Sequence, residues 1–296
     1  MRLLMQLRAQ PVQSSLILEA GATKTALSCQ LANGQVHRLT LPGINANVQT
    51  LEQAAEVLSA LPEQWRKAAY SVVWYYGAGL EPQQRRVGWQ ALLEQVFPQA
   101  AQVEVQTDLL AAVRALWGAQ PGQAAILGTG SNYGAYDGAQ ITLQLGGHGH
   151  LLGDEGSGAD LGRRLLKGLL EGYFHPEEQQ KLEAFLKKST PELKAWVYAQ
   201  PLHNRALAAL APAVVEFQSW PRVHELVQTA FQAFLNTTAL RNPQAEQTPL
   251  GAVGSLAHFL QHPWRTILQK NHLTPGPLEP HPLQALERLH FFPSEF

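Results

Sequence analysis

The order of apolar and polar residues predicts a three-stranded meander near the start of the chain. Its strands lie at residues 16–20, 24–31 and 35–41. Gly21-Ala-Thr separates the first two strands, and Asn33-Gly34 is a typical hairpin turn between the second and the third. The first hairpin therefore carries a glycine close to a threonine.

A later segment repeats this order. Strands are predicted at residues 124–127, 131–136 and 140–145, with Gly128-Thr-Gly130 in the first turn and Asp137-Gly138 in the second. The repetition predicts two related domains, each built on a meander whose first hairpin contains a glycine-threonine turn.

Between the two meanders the hydrophobic period alternates between that of a helix and that of a strand. Residues 50–61 and 82–96 have helical character, whereas residues 71–76 and 103–105 are short apolar strands. A further helix has apolar residues at Leu109, Val113 and Leu116. Strands that alternate with helices indicate βαβ crossovers, and hence a mainly parallel sheet with the antiparallel meander at one side.

The second half of the chain is richer in helices. Apolar residues recur at helical spacing over 161–170 and 223–235, and a short strand is predicted at 249–253. Glycine and prolines at 275–282 predict a connector before a last helix at 283–290. We expect this connector to let the terminal helix pack on the first domain.

Composition excludes several classes of protein. The 296 residues carry 22 Lys and Arg against 23 Asp and Glu, and only 15% are charged. We therefore expect no nucleic-acid partner and no binding to an anionic membrane. The single cysteine, Cys29, cannot form an internal disulfide or a multi-thiolate zinc site. No apolar run is long enough for a signal peptide or a membrane span, so we expect a cytoplasmic protein.

The two glycine-threonine turns are candidate phosphate-binding loops. Each joins adjacent strands, so backbone N–H groups can converge there without obstruction by side chains. Either turn alone is more often an ordinary tight turn. Their recurrence in two meanders favours two domains that hold the phosphates of a nucleotide from both sides. Neither turn has the P-loop spacing Gly-x4-Gly-Lys-Ser/Thr.

Longer motifs extend from Leu16 to His290. The longest is Gly146-Gly-His-Gly-His-Leu-Leu-Gly-Asp-Glu-Gly-Ser-Gly158, preceded by Ile126-Leu-Gly-Thr-Gly-Ser-Asn132. The others are Gly21-Ala-Thr-Lys-Thr25, Pro42-Gly-Ile-Asn45, Tyr75-Tyr-Gly-Ala-Gly79, Gln106-Thr-Asp108, Gly251-Ala-Val-Gly-Ser255 and Pro277-Leu-Glu-Pro-His-Pro-Leu283. In this order they resemble the N-acetylglucosamine kinases of the BadF/BcrA-type ATPase group, within the actin, sugar kinase and Hsp70 superfamily.

The resemblance implies an α/β protein of two ribonuclease-H-like domains of the actin-like ATPase type. We expect these domains at residues 12–117 and 118–278, with a terminal segment at 279–296 that packs back on the first. The resemblance also implies ATP and Mg2+ in a cleft between the domains, with an amino sugar beside the γ-phosphate. The expected reaction is phosphorylation of the 6-hydroxyl of that sugar, with N-acetylglucosamine as the first choice.

Asp108 is the expected catalytic base, because a carboxylate there can accept the proton of the sugar hydroxyl as its oxygen attacks phosphorus. Since Asp108 also opens a helix, the structural alternative is an N-cap. The expected nucleotide-binding residues are Gly21, Ala22, Thr23, Lys24, Gly128, Thr129, Gly130, Ser131, Gly254 and Ser255. The expected sugar-binding residues are Asn45, Asp108, Thr129, Gly146, Gly147, His148 and Asp154.

Several of these residues have structural alternatives. Asn45 is equally typical of a turn, and Ser157 and Ser255 are candidate helix caps. His148, His150 and Asp154 lack a third well-spaced nitrogen or thiolate ligand, so we expect no metal site there.

Two residues depart from the family pattern. Glu19 stands where the family has an Asp that holds Mg2+ through water. Since Mg2+ keeps several waters, the extra methylene can be absorbed by the water shell, or it can cripple phosphoryl transfer. His148 replaces the usual tryptophan of the sugar-binding loop, which leaves the contact of the indole without an equivalent.

Three alternatives stay open. The substrate can be N-acetylmuramic acid or glucosamine, or the protein can be a catalytically weakened relative that binds a sugar, as Glu19 suggests.

An assembly ATPase of the actin type is disfavoured by the sugar-loop motif. Cys29 has no partner for the shared iron-sulfur cluster of related activator ATPases. The sequence leaves the oligomeric state open, with a homodimer among the alternatives.

Overall fold

The computed structural model describes residues 14–81 and 83–292. The chain divides into two units between Thr107 and Asp108, and each unit has its own five-stranded sheet and hydrophobic core. The outer limits expected for the domains, at residues 12 and 296, lie outside the described residues, as does the expected helix start at Pro82.

In the first unit the strands are β1 (Ser15–Ala20), β2 (Lys24–Gln30), β3 (Val36–Pro42), β4 (Val72–Gly77) and β5 (Val103–Thr107), and the helices are α1 (Leu51–Ser59), α2 (Glu63–Arg66) and α3 (Gln83–Val96). The spatial order is β3-β2-β1-β4-β5. β1 and β2 are antiparallel, as are β2 and β3, whereas β4 is parallel to both β1 and β5.

Burial follows from this order. β1 lies in the centre of the sheet, and its residues Leu16, Ile17 and Leu18 have no exposed surface. A strand covered on both faces needs such a continuous apolar run, whereas the edge strand β3 is mostly exposed or half-buried. The predicted start of α1 is also confirmed, since Thr50 and Gln53 form a reciprocal capping box. Cys29 is buried in this core, as expected for a small apolar side chain.

In the second unit the strands are β6 (Gly122–Leu127), β7 (Ser131–Tyr136), β8 (Ile141–Gly146), β9 (Leu250–Val253) and β10 (Pro275–Glu279). The helices are α4 (Asp108–Trp117), α5 (Gly158–Leu170), α6 (Pro176–Leu186), α7 (Thr190–Ala199), α8 (His203–Ala208), α9 (Ala211–Glu216), α10 (Pro221–Thr237), α11 (Ser255–Phe259), α12 (Gln261–Lys270) and α13 (Pro282–Phe291), with a 3-10 turn at Ala239–Arg241. α5 and α10 confirm the two helices predicted from apolar spacing.

The second sheet repeats the topology of the first. Its order is β10-β9-β6-β7-β8, which from the other end is a meander followed by two parallel strands. β6, β7 and β8 are antiparallel neighbours, whereas β9 is parallel to β6 and β10 is parallel to β9. The predicted duplication of an α/β unit with a meander at one side is therefore confirmed.

One element was predicted wrongly. The segment from Pro275 onward is not simply a connector, because Pro275–Glu279 forms β10 at the edge of the second sheet. Its pairing with β9 is irregular between Pro275 and Leu278. Proline is tolerated there because an edge strand has one side that donates no hydrogen bonds to a neighbouring strand.

The division between the units also differs from the expected one. α4 was expected in the first domain, but it packs against the strands of the second sheet and against α13. Leu109, Ala112 and Val113 of α4 are buried in these contacts. The division therefore falls at Thr107 rather than at Trp117, and the terminal helix α13 lies on a helix of the second unit. Among the described residues no helix combines the length and apolar character that a membrane crossing requires.

Candidate functional site

Three strands of the first unit end at the same edge of the sheet. The last residues of β1, β4 and β5, which are Ala20, Gly77 and Thr107, stand in register. In open α/β sheets, ligands bind at the carboxyl ends of the strands where the strand order reverses. Here the order reverses between β1 and β4. The residues that follow these two strands therefore define a candidate binding region.

Glu19 lies one residue before the end of β1, between Ala26 of β2 and Tyr76 of β4. Loss of water around its carboxyl group raises the pKa above the usual value, and the positive charge of Lys24 opposes this rise. Among the described residues, no cluster of three or more His, Cys, Asp or Glu side chains could hold a metal ion. Glu19 alone still suits Mg2+, which in phosphate sites uses one or two carboxylates and takes its other ligands from water and phosphate.

The turn after β1 is packed against the loop that follows β3. The N–H of Gly43 donates to the carbonyl oxygen of Thr23 at 3.1 Å, and a Cβ on Gly43 would lie 2.5 Å from the carbonyl oxygen of Ala22. Only glycine allows this approach. The N–H of Gly21 closes the turn on the carbonyl of Lys24 at 2.9 Å. The turn is therefore tight, and Thr23 and Lys24 are exposed at its end.

Asn45 lies beside the end of β4, where it forms an isolated parallel bridge with Ala78. Its side-chain oxygen accepts the N–H of Asn47 at 2.8 Å, and its own N–H donates to the side chain of Gln49 at 2.7 Å. Asn45 is thus a turn residue, one of its two expected roles. Its side-chain NH2 donates to no other described residue, so the turn leaves that group able to contact a ligand.

The glycine-threonine turn of the second unit follows β6. The N–H of Gly128 donates to the carbonyl of Gly130 at 3.0 Å. The first two N–H groups of α5, from Gly158 and Ala159, donate to the carbonyls of Gly128 and Thr129 at 2.8 and 3.1 Å. These bonds fasten the turn to the positive end of the helix dipole of α5, which favours negative charge nearby.

Asp154 lies against this turn. Its Oδ1 atom accepts the N–H of Ser131 at 3.3 Å, and a Cβ on Gly130 would lie 2.8 Å from Oδ2. Burial raises the pKa of Asp154, whereas the Ser131 N–H and the nearby His150 lower it. Its φ of 60° is a left-handed conformation that costs a non-glycine residue on the order of 1 kcal/mol. The surrounding contacts hold the carboxylate in place in spite of that cost.

A buried carboxylate secures the segment between Asp154 and α5. Asp160, which is 3% exposed, accepts the N–H of Gly156 at 3.1 Å and forms ion pairs with Arg163 at 2.6 Å and Arg164 at 2.9 Å. The Ser157 hydroxyl oxygen accepts the N–H of Asp160 at 3.2 Å, so the expected cap is confirmed. Asp160 was not predicted from the sequence, although a carboxylate three and four residues before arginines on a helix is a recognisable pattern.

The loop after β8 contains the other expected sugar-binding residues. Gly146 and Gly147 have left-handed φ values of 82° and 71°, which favour glycine. A Cβ on Gly147 would lie 3.0 Å from the side-chain oxygen of Asn132. His148 is exposed and forms no hydrogen bond or ion pair with the described residues. The loop therefore leaves the imidazole able to contact a ligand.

Gly254 connects β9 to α11 and touches the end of β6. Its φ is 114°, and a Cβ there would lie 2.3 Å from the carbonyl oxygen of Leu127. Glycine is therefore required both by the backbone angle and by the close approach. Ser255 is the exposed first residue of α11, and Gly254 takes the capping position without a side-chain bond. The alternative of Ser255 as a helix cap is thus wrong.

Asp108 follows β5 directly and is the first residue of α4. The next residue, Leu109, has no exposed surface and fits against Gly134 of β7, where a Cβ would lie 2.8 Å from Leu109. This anchor fixes the start of the helix. The Asp108 side chain is half-buried, and a carboxylate in the first turn is favoured by the helix dipole.

The predicted residues fall into one group in each unit. At the carboxyl edge of the first sheet are Glu19, Gly21, Ala22, Thr23, Lys24 and Asn45. At the carboxyl edge of the second sheet are Gly128, Thr129, Gly130, Ser131, Gly146, Gly147, His148, Asp154, Gly254 and Ser255. Asp108 follows β5 of the first sheet and opens α4 of the second unit.

Comparison with known proteins gives solved structures that match most of the chain. A "putative N-acetylglucosamine kinase" from Porphyromonas gingivalis, known from its crystal structure, has a TM-score of 0.87 and 32% sequence identity with this chain, and the match covers 93% of this chain and 98% of that one. The ROK family glucokinase of Streptomyces griseus, solved with glucose and AMPPNP, has a TM-score of 0.58 and 14% identity over 91% of this chain and 95% of its own. This second likeness shows the fold alone.

A curated N-acetylmuramic acid/N-acetylglucosamine kinase of Clostridium acetobutylicum is 27% identical over 161 residues. The aligned part is 50% of this chain and 53% of that kinase, so the match spans about half the length of the curated relative. No family model matches the chain. The duplicated sheet topology and the identity across nearly the whole Porphyromonas gingivalis chain agree, and the protein therefore belongs to the N-acetylglucosamine kinase-like sugar kinases, which have the two-domain actin-like ATPase fold.

Proposed function

We propose that this protein is an ATP-dependent kinase that phosphorylates the 6-hydroxyl of an amino sugar, with N-acetylglucosamine as the first candidate. The observation that carries the proposal is the match to an N-acetylglucosamine kinase-like protein over nearly the full length of both chains. Each unit has a glycine-threonine turn at the carboxyl edge of its own sheet, which supports the proposal because turns of this kind suit phosphate oxygens.

The nucleotide would be held mainly by backbone groups. The turn residues Gly21–Lys24 and Gly128–Ser131 have little side-chain bulk near the main chain, which suits phosphate oxygens. Gly254 and Ser255 at the start of α11 are candidates for contact with the nucleotide. The glucokinase of the same fold was solved with AMPPNP, which supports ATP as the phosphate donor.

Asp108 would act as the general base. Its carboxylate accepts the proton of the sugar 6-hydroxyl while the hydroxyl oxygen forms a bond to the γ-phosphorus and the bond from that phosphorus to ADP breaks. Because phosphoryl transfer depends mainly on alignment and charge stabilisation, a carboxylate of ordinary basicity is sufficient. The anchored start of α4, with Leu109 packed on Gly134, supplies the fixed position that this role requires.

Glu19 would hold Mg2+, directly or through water. When bound, the ion supplies positive charge that neutralises phosphate oxygens and helps to orient the donor. Burial raises the pKa of Glu19, and the charge of Lys24 offsets only part of that rise. Because a metal ligand must be ionised, binding of Mg2+ would itself lower this pKa.

Each unit offers candidate sugar ligands. The NH2 group of Asn45 is able to donate to a sugar hydroxyl, and Asp154 offers carboxylate oxygens fixed by Ser131. Thr129, Gly146, Gly147 and His148 are further candidate contacts. Burial raises the pKa of Asp154, which makes its carboxylate a stronger acceptor for sugar hydroxyl donors.

N-acetylmuramic acid is the second candidate substrate, because the curated relative from Clostridium acetobutylicum acts on it as well as on N-acetylglucosamine. Glucosamine is a third. We propose the cytoplasm, where ATP is available, as the place of the reaction.

The test is a coupled ADP-release assay with ATP and Mg2+ and each of five sugars: N-acetylglucosamine, N-acetylmuramic acid, glucosamine, N-acetylmannosamine and glucose. The proposal predicts sugar-dependent ADP release with at least one of the first three, above the rate without sugar. Calorimetric binding of a sugar without ADP release would instead identify a binding protein that has lost catalysis, and the kinase proposal would fail.

A further inference from the structure

Arg85 fastens two loop segments of the first unit together. Its Nη1 atom donates to the side-chain oxygen of Asn47 at 2.7 Å and to the carbonyl oxygen of Gly79 at 2.5 Å. Asn47 belongs to the loop after β3, whereas Gly79 belongs to the segment after β4. One guanidinium group therefore joins the two segments at the carboxyl edge of the sheet.

The same contacts fix the position of Asn45. Asn47 donates its N–H to the Asn45 side chain at 2.8 Å, and Ala46 donates its N–H to Ala78 at 3.0 Å. Gly79 has a φ of 81°, and a Cβ there would lie 2.7 Å from the Asn47 backbone nitrogen. Asn47 therefore links Arg85 to the candidate sugar ligand Asn45 through two hydrogen bonds.

The charge of Arg85 is unfavourably placed in its own helix. Arg85 and Arg86 stand in the first turn of α3, and that turn contains no acidic residue. The helix dipole disfavours cations at that end. Within residues 14–81 and 83–292, Arg85 has no carboxylate partner, and its Nε and Nη2 groups donate no hydrogen bond. A guanidinium with free donors binds a carboxylate strongly, often through two parallel bonds.

We propose that Arg85 is a specificity-determining residue of the sugar site, which favours an amino sugar that carries a carboxylate over a neutral one. N-acetylmuramic acid is such a sugar, since it differs from N-acetylglucosamine by an acidic lactyl ether. The inference rests on the proposed kinase function and on Asn45 as a sugar ligand. It adds a residue that selects between the candidate substrates.

The test measures kcat/KM for N-acetylmuramic acid and for N-acetylglucosamine with the wild-type protein and with Arg85→Gln, Arg85→Lys and Arg86→Gln. The quantity compared is kcat/KM for N-acetylmuramic acid divided by kcat/KM for N-acetylglucosamine, whichever sugar the wild type turns over faster. Arg85→Gln should lower this ratio about tenfold, the size expected for loss of one charge-assisted hydrogen bond. Arg85→Lys should lower the ratio less because it keeps the charge. Arg86→Gln is the matched control and should leave the ratio unchanged.

A second measurement does not depend on the folding of a variant. Raising the salt concentration should weaken wild-type affinity for N-acetylmuramic acid more than for N-acetylglucosamine, because salt screens charge pairs. The inference is overturned if Arg85→Gln folds and keeps the wild-type ratio of the two kcat/KM values, or if both sugars show the same salt dependence. In each of these cases the kinase function stands, whereas absence of turnover with every amino sugar removes both proposals.

Discussion

Among single residues, Asp108 matters most for the proposed phosphoryl transfer. The residue leaves β5 and enters α4 at a point fixed by buried Leu109, so a substitution that keeps its shape should leave the backbone unchanged. Asn has nearly the same shape as Asp but cannot accept a proton at physiological pH.

Asp108→Asn should therefore lower kcat by about 100-fold or more, the usual contribution of a general base. Sugar affinity measured by calorimetry should change little, because the amide still forms hydrogen bonds. The matched control is Asp137→Asn, in an exposed hairpin turn where the side-chain oxygen accepts the N–H groups of Ala139 and Gln140. Asn retains that acceptor, so the control should have wild-type kcat, and equal kcat for both variants would exclude Asp108 as the base.

The sequence predicted the types of residue at the site better than their contacts. The motifs indicated Asn45, but only the structure shows that its side-chain oxygen is already used in a turn with Asn47. Arg85 was missed because its acceptors lie on loops at separate places in the chain, and no periodic pattern marks such a contact.

At the scale of the element, the corner between β9 and α11 is the most constrained connection. Gly254→Ala would place a Cβ 2.3 Å from the carbonyl oxygen of Leu127 in addition to the strain of a φ of 114°. We expect it to lower the free energy of unfolding by about 2–4 kcal/mol and to weaken ATP binding.

Gly34→Ala is the control for this prediction. Gly34 also has a positive φ, of 83°, but an added Cβ would have no neighbour within 4 Å. The control should lose only about 1 kcal/mol and keep its affinity for ATP. Denaturant unfolding measures the first quantity and calorimetry the second. If the two variants lose the same stability, the close packing of Gly254 against β6 is not what constrains the corner.

The contact of α13 with α4 should depend on pH. Burial lowers the pKa of His290 to about 4 from its ordinary value of 6.5, and the charge of Arg114 on α4 adds to the shift. Between these two values the unfolded chain binds a proton that the folded chain does not, so stability is complete above pH 6.5 and is lost as the pH falls toward 4. Allowing for partial exposure, the loss should be on the order of 1–2 kcal/mol.

His290→Gln should remove this part of the acid destabilisation, so the fall in Tm between pH 7 and pH 4.5 should be smaller than in the wild type. His281→Gln, an exposed position at the start of the same helix, is the control and should fall as the wild type does. An identical pH dependence for all three proteins would show that His290 does not titrate with unfolding.

The elements themselves show what a sequence pattern can and cannot predict. Both meanders were predicted because alternating apolar strands and glycine turns are local features. β10 was not, since Pro275 and Pro277 obscure a strand that only its edge position permits. The division of the chain at Thr107 depends on which sheet α4 packs against, and its apolar stripe does not specify that partner.

At the scale of the whole molecule, the chain contains one topology twice, with a glycine-threonine turn at the same place in each copy. The two turns occupy the same position in the topology but are held by different contacts. The first turn packs against Gly43, whereas the second is hydrogen-bonded to the start of α5 and to Asp154. In the proposed kinase reaction both turns would contact the nucleotide, and Asp154 beside the second turn would in addition accept a sugar hydroxyl.

The most direct test of that reaction is to identify its products. After incubation of the wild-type protein with ATP, Mg2+ and an amino sugar, mass spectrometry and proton–phosphorus correlation NMR would determine whether and where the sugar is phosphorylated. If the proposed reaction is correct, N-acetylglucosamine or N-acetylmuramic acid will carry one phosphate ester, on O6, for each ADP formed. Phosphate on another oxygen, or a sugar that binds but is recovered unmodified with no ADP formed, would contradict it.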